Sequence, residues 1–149
     1  MISPASLSSL LTIIVRWAAN SSQILAVALV GSYARGEARS DSDVDLMIIA
    51  RMPEMFRQKT EWLLQIEWEH IQAHVIRWKD VEYGRVWSRH TQLSNGTEVE
   101  LSFGSPDWAA VDPIDSGTRR VVSDGCWILF DPTGLLNQLV QQILRDLKG

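Results

Sequence analysis

The chain of 149 residues contains a single cysteine, Cys126. One cysteine excludes an intrachain disulfide and any zinc site built from several thiolates. A domain of this length buries roughly two thirds of the surface that its unfolded chain exposes, so it needs neither kind of cross-link to fold. We therefore expect one domain over residues 1–149, in a reducing compartment such as the cytoplasm.

The chain also lacks an excess of basic residues, since 14 Lys and Arg stand against 18 Asp and Glu. Sequence-independent binding to nucleic acid depends on Lys and Arg that neutralise phosphates, so nucleic acid is not the expected partner. The apolar run Leu10–Val15 is interrupted by Thr12 and is too short to span a membrane. No membrane contact is expected.

Short apolar segments nevertheless indicate a packed core. Ile24–Val30 and Val44–Ala50 are continuous apolar runs, which are typical of strands buried on both faces. Helical spacing of apolar residues predicts three helices, from Pro4 to about Ala19, between Pro53 and Ile66, and after Gly134.

The remainder of the chain has mostly strand patterns. The dipeptide Asn95-Gly96 lies between the extended segments Arg85–Ser94 and Thr97–Phe103, which predicts a hairpin with a type I′ turn. Alternation begins within Ile71–Trp78, and Cys126–Phe130 predicts a further strand. The fold class is therefore α/β or α+β, with helices packed against a mixed β-sheet.

Polar and charged residues are concentrated between the two apolar runs, in the segment GSYARGEARSDSDVDL, residues 31–46. Asp43 and Asp45 are two apart on a strand, so their side chains leave the same face. Paired carboxylates with no nearby His or Cys indicate Mg²⁺ or Mn²⁺ rather than zinc. Gly31 and Ser32 follow a buried strand directly and can bring backbone N–H groups and a hydroxyl to phosphate oxygens. The segment predicts a site for a triphosphate and a metal ion.

Two other motifs for metal or phosphate are excluded by counting residues. An EF-hand loop that begins at Asp41 would need glycine where the chain has Leu46. A Walker P-loop that begins at Gly31 would need lysine where the chain has Glu37.

Residues 31–46 resemble the signature GSxARGxxxxxSDxDL of the DNA polymerase beta superfamily of nucleotidyltransferases, and especially the minimal nucleotidyltransferases. Every specified position matches, and the resemblance covers residues 24–50 and extends to the strand at residues 99–103. It implies a mixed sheet of five strands or fewer. It also implies an NTP bound as its magnesium or manganese complex. The expected reaction transfers a nucleoside monophosphate, expected to be AMP, to an acceptor hydroxyl with release of pyrophosphate.

The resemblance further implies roles for individual residues. Gly31 and Ser32 would hold the β and γ phosphates, while Asp43 and Asp45 would hold the metal ions, expected to be two. Arg35 matches the signature, and its fixed charge is expected to meet a phosphate or to hold a neighbouring aspartate, Asp41 or Asp43.

Members of the superfamily also carry a third metal-binding carboxylate, usually Asp, on a later strand. In Thr97–Phe103 the two acidic residues Glu98 and Glu100 share a face of the predicted strand. Glu100 lies deeper in the strand and is the preferred third ligand, with Glu98 as the alternative.

Several other residues have two interpretations. Arg85, Trp87 and Arg89 share a face of the predicted strand, which would either stack a base or form a solvated sheet surface. Cys126 is expected to be a small buried apolar residue. The histidines lack the spacing of a metal site and are expected to be structural or at the surface; they are His70, His74 and His90.

The acceptor is left open by the sequence. Antibiotic-modifying adenylyltransferases usually add a helical domain, for which the 46 residues after Phe103 are too few, although the segment from Arg51 to Asn95 or a second subunit could serve instead. An antitoxin-like enzyme would modify a partner protein. A nucleotide-binding module without turnover is the third alternative, and a homo-oligomer is compatible with all of them.

Overall fold

A computed structural model describes residues 3–39 and 41–148 of the chain, so Ser40 of the signature segment and the terminal residues 1, 2 and 149 lie outside it. The helices are α1 (Pro4–Ala19), α2 (Gly31–Arg35), α3 (Pro53–Gln58), α4 (Glu61–Gln65), α5 (Ser116–Asp124) and α6 (Leu135–Lys148). The strands are β1 (Ile24–Val30), β2 (Val44–Ala50), β3 (Val75–Tyr83), β4 (Val86–Leu93), β5 (Glu98–Gly104) and β6 (Cys126–Phe130).

The described strands form one mixed sheet in the order β3-β4-β5-β2-β1-β6. β2 and β5 are parallel, and every other neighbouring pair is antiparallel. The predicted fold class is confirmed. The sheet has six strands rather than five or fewer, because β3 and β6 extend it at its two edges.

Helices cover both faces of the sheet. On one face, the α1 face, side chains such as Leu46 and Leu101 pack with Leu10 and Ile14 of α1 and with residues of α3 and α4. On the other, the α6 face, Met47 packs with apolar residues of α5, α6 and the 3₁₀ turn Pro106–Ala109. Because side chains alternate along a strand, Asp45 leaves β2 on the same α6 face as Met47.

The predicted helix between Pro53 and Ile66 is interrupted, so that single-helix prediction is wrong. Lys59 is extended, with φ −112° and ψ 152°, and separates α3 from α4. The indole N–H of Trp62 donates to the carbonyl oxygens of Phe56 at 2.7 Å and Lys59 at 3.0 Å. These bonds satisfy carbonyl groups that a continuous helix would have paired internally.

The hairpin at Asn95-Gly96 is confirmed, but its predicted type I′ turn is wrong. Gly96 has φ 88°, whereas Asn95 is not among the residues with positive φ. Gly96 N donates to Leu93 O at 3.1 Å, and Leu93 N donates to Thr97 O at 2.9 Å. The three-residue loop therefore needs a left-handed residue only at its glycine, as in a type I turn followed by a bulge.

The helix α5 was not predicted from the pattern of apolar residues. Its only large apolar residues are the adjacent Val121 and Val122, so the sequence shows no run of apolar residues at helical spacing. Its start has a clear local signal, because the carboxylate of Asp115 accepts a hydrogen bond from Thr118 N at 3.1 Å.

The strand β6 and the helix α6 form where the sequence predicts them. Cys126 of β6 is half-buried rather than fully buried, and packs against the apolar residues of the α6 face. Burial, and then the charge of Asp131, raise the pKa of its thiol to about 11. None of the helices formed by residues 3–39 and 41–148 combines the length and the apolar character needed to cross a membrane.

Candidate functional site

Two parallel strands bring together carboxylates that are far apart in the sequence. Asp45 of β2 lies in register with Glu100 of β5, and Asp43 directly precedes β2. Alternation along the strands places Glu98 and Glu100 on the same α6 face as the two aspartates. The structure therefore brings four acidic side chains to one edge of this face.

The carboxylates destabilise one another's charge. The pKa of Asp45 is raised to about 8, first by burial, then by a hydrogen bond with Glu100 and by repulsion from Glu100 and Asp43. The pKa of Asp43 is raised to about 6, again first by burial and then by a hydrogen bond with Glu98. Asp45 Oδ1 is buried and has no hydrogen-bond partner among the described residues. Such a cluster is stabilised by protons or by cations.

Gly31 allows the backbone to approach these carboxylates. It follows β1 directly, where Val30 lies in register with Asp45, and it begins α2 with φ 74°. A Cβ at Gly31 would overlap the Asp45 carboxylate, so glycine is required both by this contact and by the left-handed backbone. Ser32 is the next residue, in the first turn of α2.

Arg35 is the cation of α2. Its Nε lies 3.4 Å from Glu37 Oε2, and its charge lowers the pKa of Asp45. Among the described residues Arg35 pairs with Glu37 and not with Asp41 or Asp43, and its contact with a phosphate, the other interpretation, stays a prediction. About a third of the Arg35 side chain is exposed, which leaves its guanidinium accessible to a ligand.

His90 is the site residue that sequence reasoning missed. Its Nε2 lies 3.1 Å from Glu100 Oε1 and 3.1 Å from Tyr83 Oη. Asp43, His90 and Glu100 each offer a ligand atom, and these atoms lie within 4.8 Å of one another. The expectation of no nearby histidine is therefore wrong. The hairpin was only a partial signal, because a two-residue turn at Asn95-Gly96 would place His90 opposite Leu101. The three-residue loop shifts the register by one and places His90 opposite Glu100.

A cavity of about 590 Å³ adjoins the carboxylates on the α6 face. Gly31, Asp45 and Glu100 line one side of it, and Trp108 and the first residues of α5 line the other. Arg85 lies at this cavity and pairs with Asp115 at 3.3 Å. Its size is that of ordinary small-molecule sites.

The prediction that Arg85, Trp87 and Arg89 share a base-stacking or solvated face is wrong, because only Arg85 is exposed. Arg85 lies outside β4, and the side chains of Trp87 and Arg89 are buried on the α1 face. The Arg89 guanidinium contacts both carboxylate oxygens of Asp80, at 2.7 and 2.9 Å. It also lies 5.1 to 5.6 Å from the ring centres of three tryptophans, Trp62, Trp78 and Trp87.

Comparison with solved structures finds the same fold in an aminoglycoside 6-adenyltransferase from Bacillus subtilis, with 16% identity and a TM-score of 0.50. The match covers 73% of this chain and 37% of that one, so this chain corresponds to about a third of its length. No curated protein matches the chain. A family model described as "Nucleotidyltransferase domain" matches residues 12–93, which are more than half of the chain. The chain therefore belongs to the nucleotidyltransferase domain family.

Proposed function

We propose that the protein is a metal-dependent enzyme that transfers a nucleoside monophosphate, most simply AMP, from an NTP to an acceptor hydroxyl and releases pyrophosphate. The observation that carries this proposal is the convergence of Asp43, Asp45 and Glu100 on one edge of the sheet, beside the glycine that starts α2. The family membership supplies nucleotide transfer as the reaction class.

The site residues fit divalent metal ions. Carboxylate oxygens are the ligands that Mg²⁺ and Mn²⁺ prefer, and the buried Asp45 Oδ1 lacks a hydrogen-bond partner among the described residues. Asp43, Asp45 and Glu100 would hold the ions. The bound ions would neutralise the carboxylates and stabilise the charge that develops on the oxygens of the α-phosphate.

The remaining residues of the site bind and orient the triphosphate. In this proposal the backbone of Gly31 and the N–H and hydroxyl of Ser32 hold the β and γ phosphates. Arg35 faces the triphosphate with a fixed positive charge. Trp108 lines the same cavity as Asp45 and lies on the side of α5.

The reaction is an in-line displacement at the α-phosphorus. The acceptor hydroxyl gives up its proton to the solvent, and its oxygen forms a bond to this atom as the bond to the bridging oxygen of the β-phosphate breaks and pyrophosphate leaves. Glu100 lies on the side of the cluster that faces β4 and the exposed Tyr83, so we assign it to the attacking oxygen. Asp45 lies on the side of Gly31, where we propose that the triphosphate binds.

The acceptor class is the open part of this function. The matched solved structure is named for transfer of an adenylyl group to an aminoglycoside, which supports a small hydroxyl compound as acceptor. A partner protein is the other acceptor that a short transferase of this kind would modify. A second subunit could complete the binding pocket for either acceptor.

The test is transfer of label from α-³²P NTPs, one nucleotide at a time, with Mg²⁺ or Mn²⁺. Aminoglycosides and extract of the source cell serve as two separate acceptor arms. Label on an acceptor and equal release of pyrophosphate by the wild type, but not by Asp45→Asn, supports the proposal. Glu69→Gln, which changes an exposed carboxylate in another part of the chain, is the matched control. Metal-dependent NTP binding without transfer in either arm would instead indicate a binding module.

A further inference from the structure

We propose that His90 is a metal ligand of this site, and that its imidazole raises the preference of the site for Mn²⁺ over Mg²⁺ above that of a site built from carboxylates alone. This inference rests on the proposed metal-dependent function. The neighbouring strand β4 would thereby contribute to the metal site together with β2 and β5.

The first argument is the convergence of three strands. Asp43 directly precedes β2, His90 lies on β4 and Glu100 on β5, and their ligand atoms lie within 4.8 Å of one another. Ligand atoms that share one ion at about 2.1 Å lie roughly 3–4.2 Å apart, depending on whether they are adjacent or opposite. Small side-chain adjustments would therefore bring the three atoms onto one ion.

The second argument is the orientation of the imidazole. Nε2 is the ring nitrogen that faces Glu100, and the Tyr83 hydroxyl lies 3.1 Å from the same atom. The backbone register fixes this relation, because His90 and Glu100 lie opposite each other on antiparallel strands. The side chains of His90 and Glu100 are 34% and 19% exposed, so the pair is partly shielded from solvent.

The third argument is the chemistry of the donor set. Mg²⁺ binds oxygen ligands and retains several of its waters, whereas imidazole suits the transition metals. A site that offers one nitrogen among carboxylate oxygens therefore gains affinity for Mn²⁺ more than for Mg²⁺. A histidine that only orients Glu100 through a hydrogen bond would change the affinities for both ions in the same proportion.

The chain contains a matched control for this interpretation. Glu67, Glu69 and His70 form a second group with ligand atoms within 4.8 Å, and His70 Nε2 lies 2.9 Å from Glu67 Oε2. Half of the His70 side chain is exposed, and Glu67 already pairs with Arg16 at 3.1 Å. This second group has similar residues, but Arg16 already neutralises one of its carboxylates. We therefore expect His70→Asn to leave metal binding unchanged.

The experiment measures Mn²⁺ binding to the full chain by electron paramagnetic resonance, with Mg²⁺ as competitor. It is done with Mn²⁺ alone and with Mn²⁺ plus a non-hydrolysable ATP analogue. We expect His90→Asn to weaken Mn²⁺ binding at least about ten-fold while Mg²⁺ competition changes less than about three-fold. We also expect the electron spin echo of bound Mn²⁺ to show a histidine nitrogen in the wild type and to lose it in His90→Asn.

Equal losses of Mn²⁺ and Mg²⁺ affinity, or a wild-type echo without a nitrogen signal, would overturn the proposal and leave His90 as a positioning residue for Glu100. If His90→Asn does not fold, His90→Asp decides the question, because an all-oxygen donor set should favour Mg²⁺ relative to the wild type. Failure of the proposed function has a separate signature. In that case the wild type and Asp45→Asn would bind Mn²⁺ and the analogue equally.

Discussion

The sheet holds two groups of buried charges, one on each face, and they differ in how completely the chain neutralises them. On the α1 face, Arg89 is 1% exposed, pairs with Asp80, and donates to the carbonyl oxygens of Arg57 and Lys59. On the α6 face, Asp43, Asp45 and Glu100 lie together, and the pKa of Asp45 is about 8. We call the Arg89–Asp80 pair the complete group, because the chain itself supplies its partners, and we expect it to stabilise the fold. We call the three carboxylates the incomplete group, because the chain does not fully neutralise them. Such a group is typical of a ligand-binding site, where function opposes stability.

The largest expected effect is at the incomplete group. Asp45→Asn should lower the rate of nucleotide transfer by at least about a thousand-fold, because loss of a charge-stabilising metal ligand removes several kcal/mol from the transition state. The metal-free variant should be as stable as the wild type or more stable, because one of the repelling carboxylates is gone. Pyrophosphate release and urea denaturation measure the two effects. A variant with wild-type activity would show that the carboxylate group is not the active site.

At the complete group the expected effect is on stability. Arg89→Met should lower the free energy of unfolding by about 3 kcal/mol, because it leaves Asp80 and two backbone carbonyl groups without their donor. The control is Arg77→Met on β3, whose exposed guanidinium contacts Gln92 and whose loss should cost less than about 0.5 kcal/mol. Urea denaturation of both variants is the measurement. Equal losses of unfolding free energy in the two variants would mean that the buried contacts of Arg89 add nothing to stability.

Gly31→Ala tests whether the carboxylates are packed against the backbone. Gly84 has nearly the same φ, 71° against 74°, but a Cβ there would meet nothing within 4 Å. Both alanine variants should therefore carry the strain of a left-handed backbone, on the order of 1–2 kcal/mol. Only Gly31→Ala should also lose metal-dependent NTP binding, by about ten-fold or more, in calorimetric titrations. Equal NTP binding by the two variants would contradict a functional role for the close approach of the Gly31 backbone to the Asp45 carboxylate.

The raised carboxyl pKa values predict an unusual dependence of stability on pH. In the presence of EDTA, the folded chain retains protons on Asp45 and Asp43 that the unfolded chain releases near pH 4. The free energy of unfolding should therefore fall as the pH rises from about 5 to 8, by at most about 1.4 kcal/mol per pH unit for the proton on Asp45. The contribution of the more exposed Asp43 should be smaller and should end near pH 6. Asp45→Asn should flatten this slope, and Mg²⁺ should restore stability at pH 8. The measurement is thermal unfolding of the wild type across this pH range. A stability that does not change with pH would contradict the raised pKa values of Asp43 and Asp45.

The smallest effect is expected for Glu98→Gln. Glu98 is exposed at the start of β5, whereas Glu100 lies in register with Asp45. We expect transfer rates within about three-fold of the wild type, since surface substitutions outside the metal ligands have small effects. Steady-state kinetics is the measurement. If Glu98→Gln abolished transfer and Glu100→Gln did not, Glu98 would be the third carboxylate.

The comparison of the two groups also shows what the sequence could predict. The apolar runs of β1 and β2 and the signature from Gly31 to Leu46 are local patterns, and each was interpreted correctly as an element or as a family resemblance. The position of Glu100 beside Asp45 depends on the parallel pairing of β2 with β5, across 55 residues. Arg89 was assigned to a solvated or base-stacking surface because its partners, Asp80 and three tryptophans, come from three separate segments.

The position of β5 has a consequence for the order of events during synthesis. While the ribosome has delivered only β1 and β2, the second edge of β2 presents an apolar, unpaired strand to the solvent. That edge is covered only when β5 has emerged, and β5 brings Glu100 with it. The strand that covers this edge of β2 thus also brings the third carboxylate, so a chain in which β5 has not yet paired with β2 lacks part of the proposed metal site.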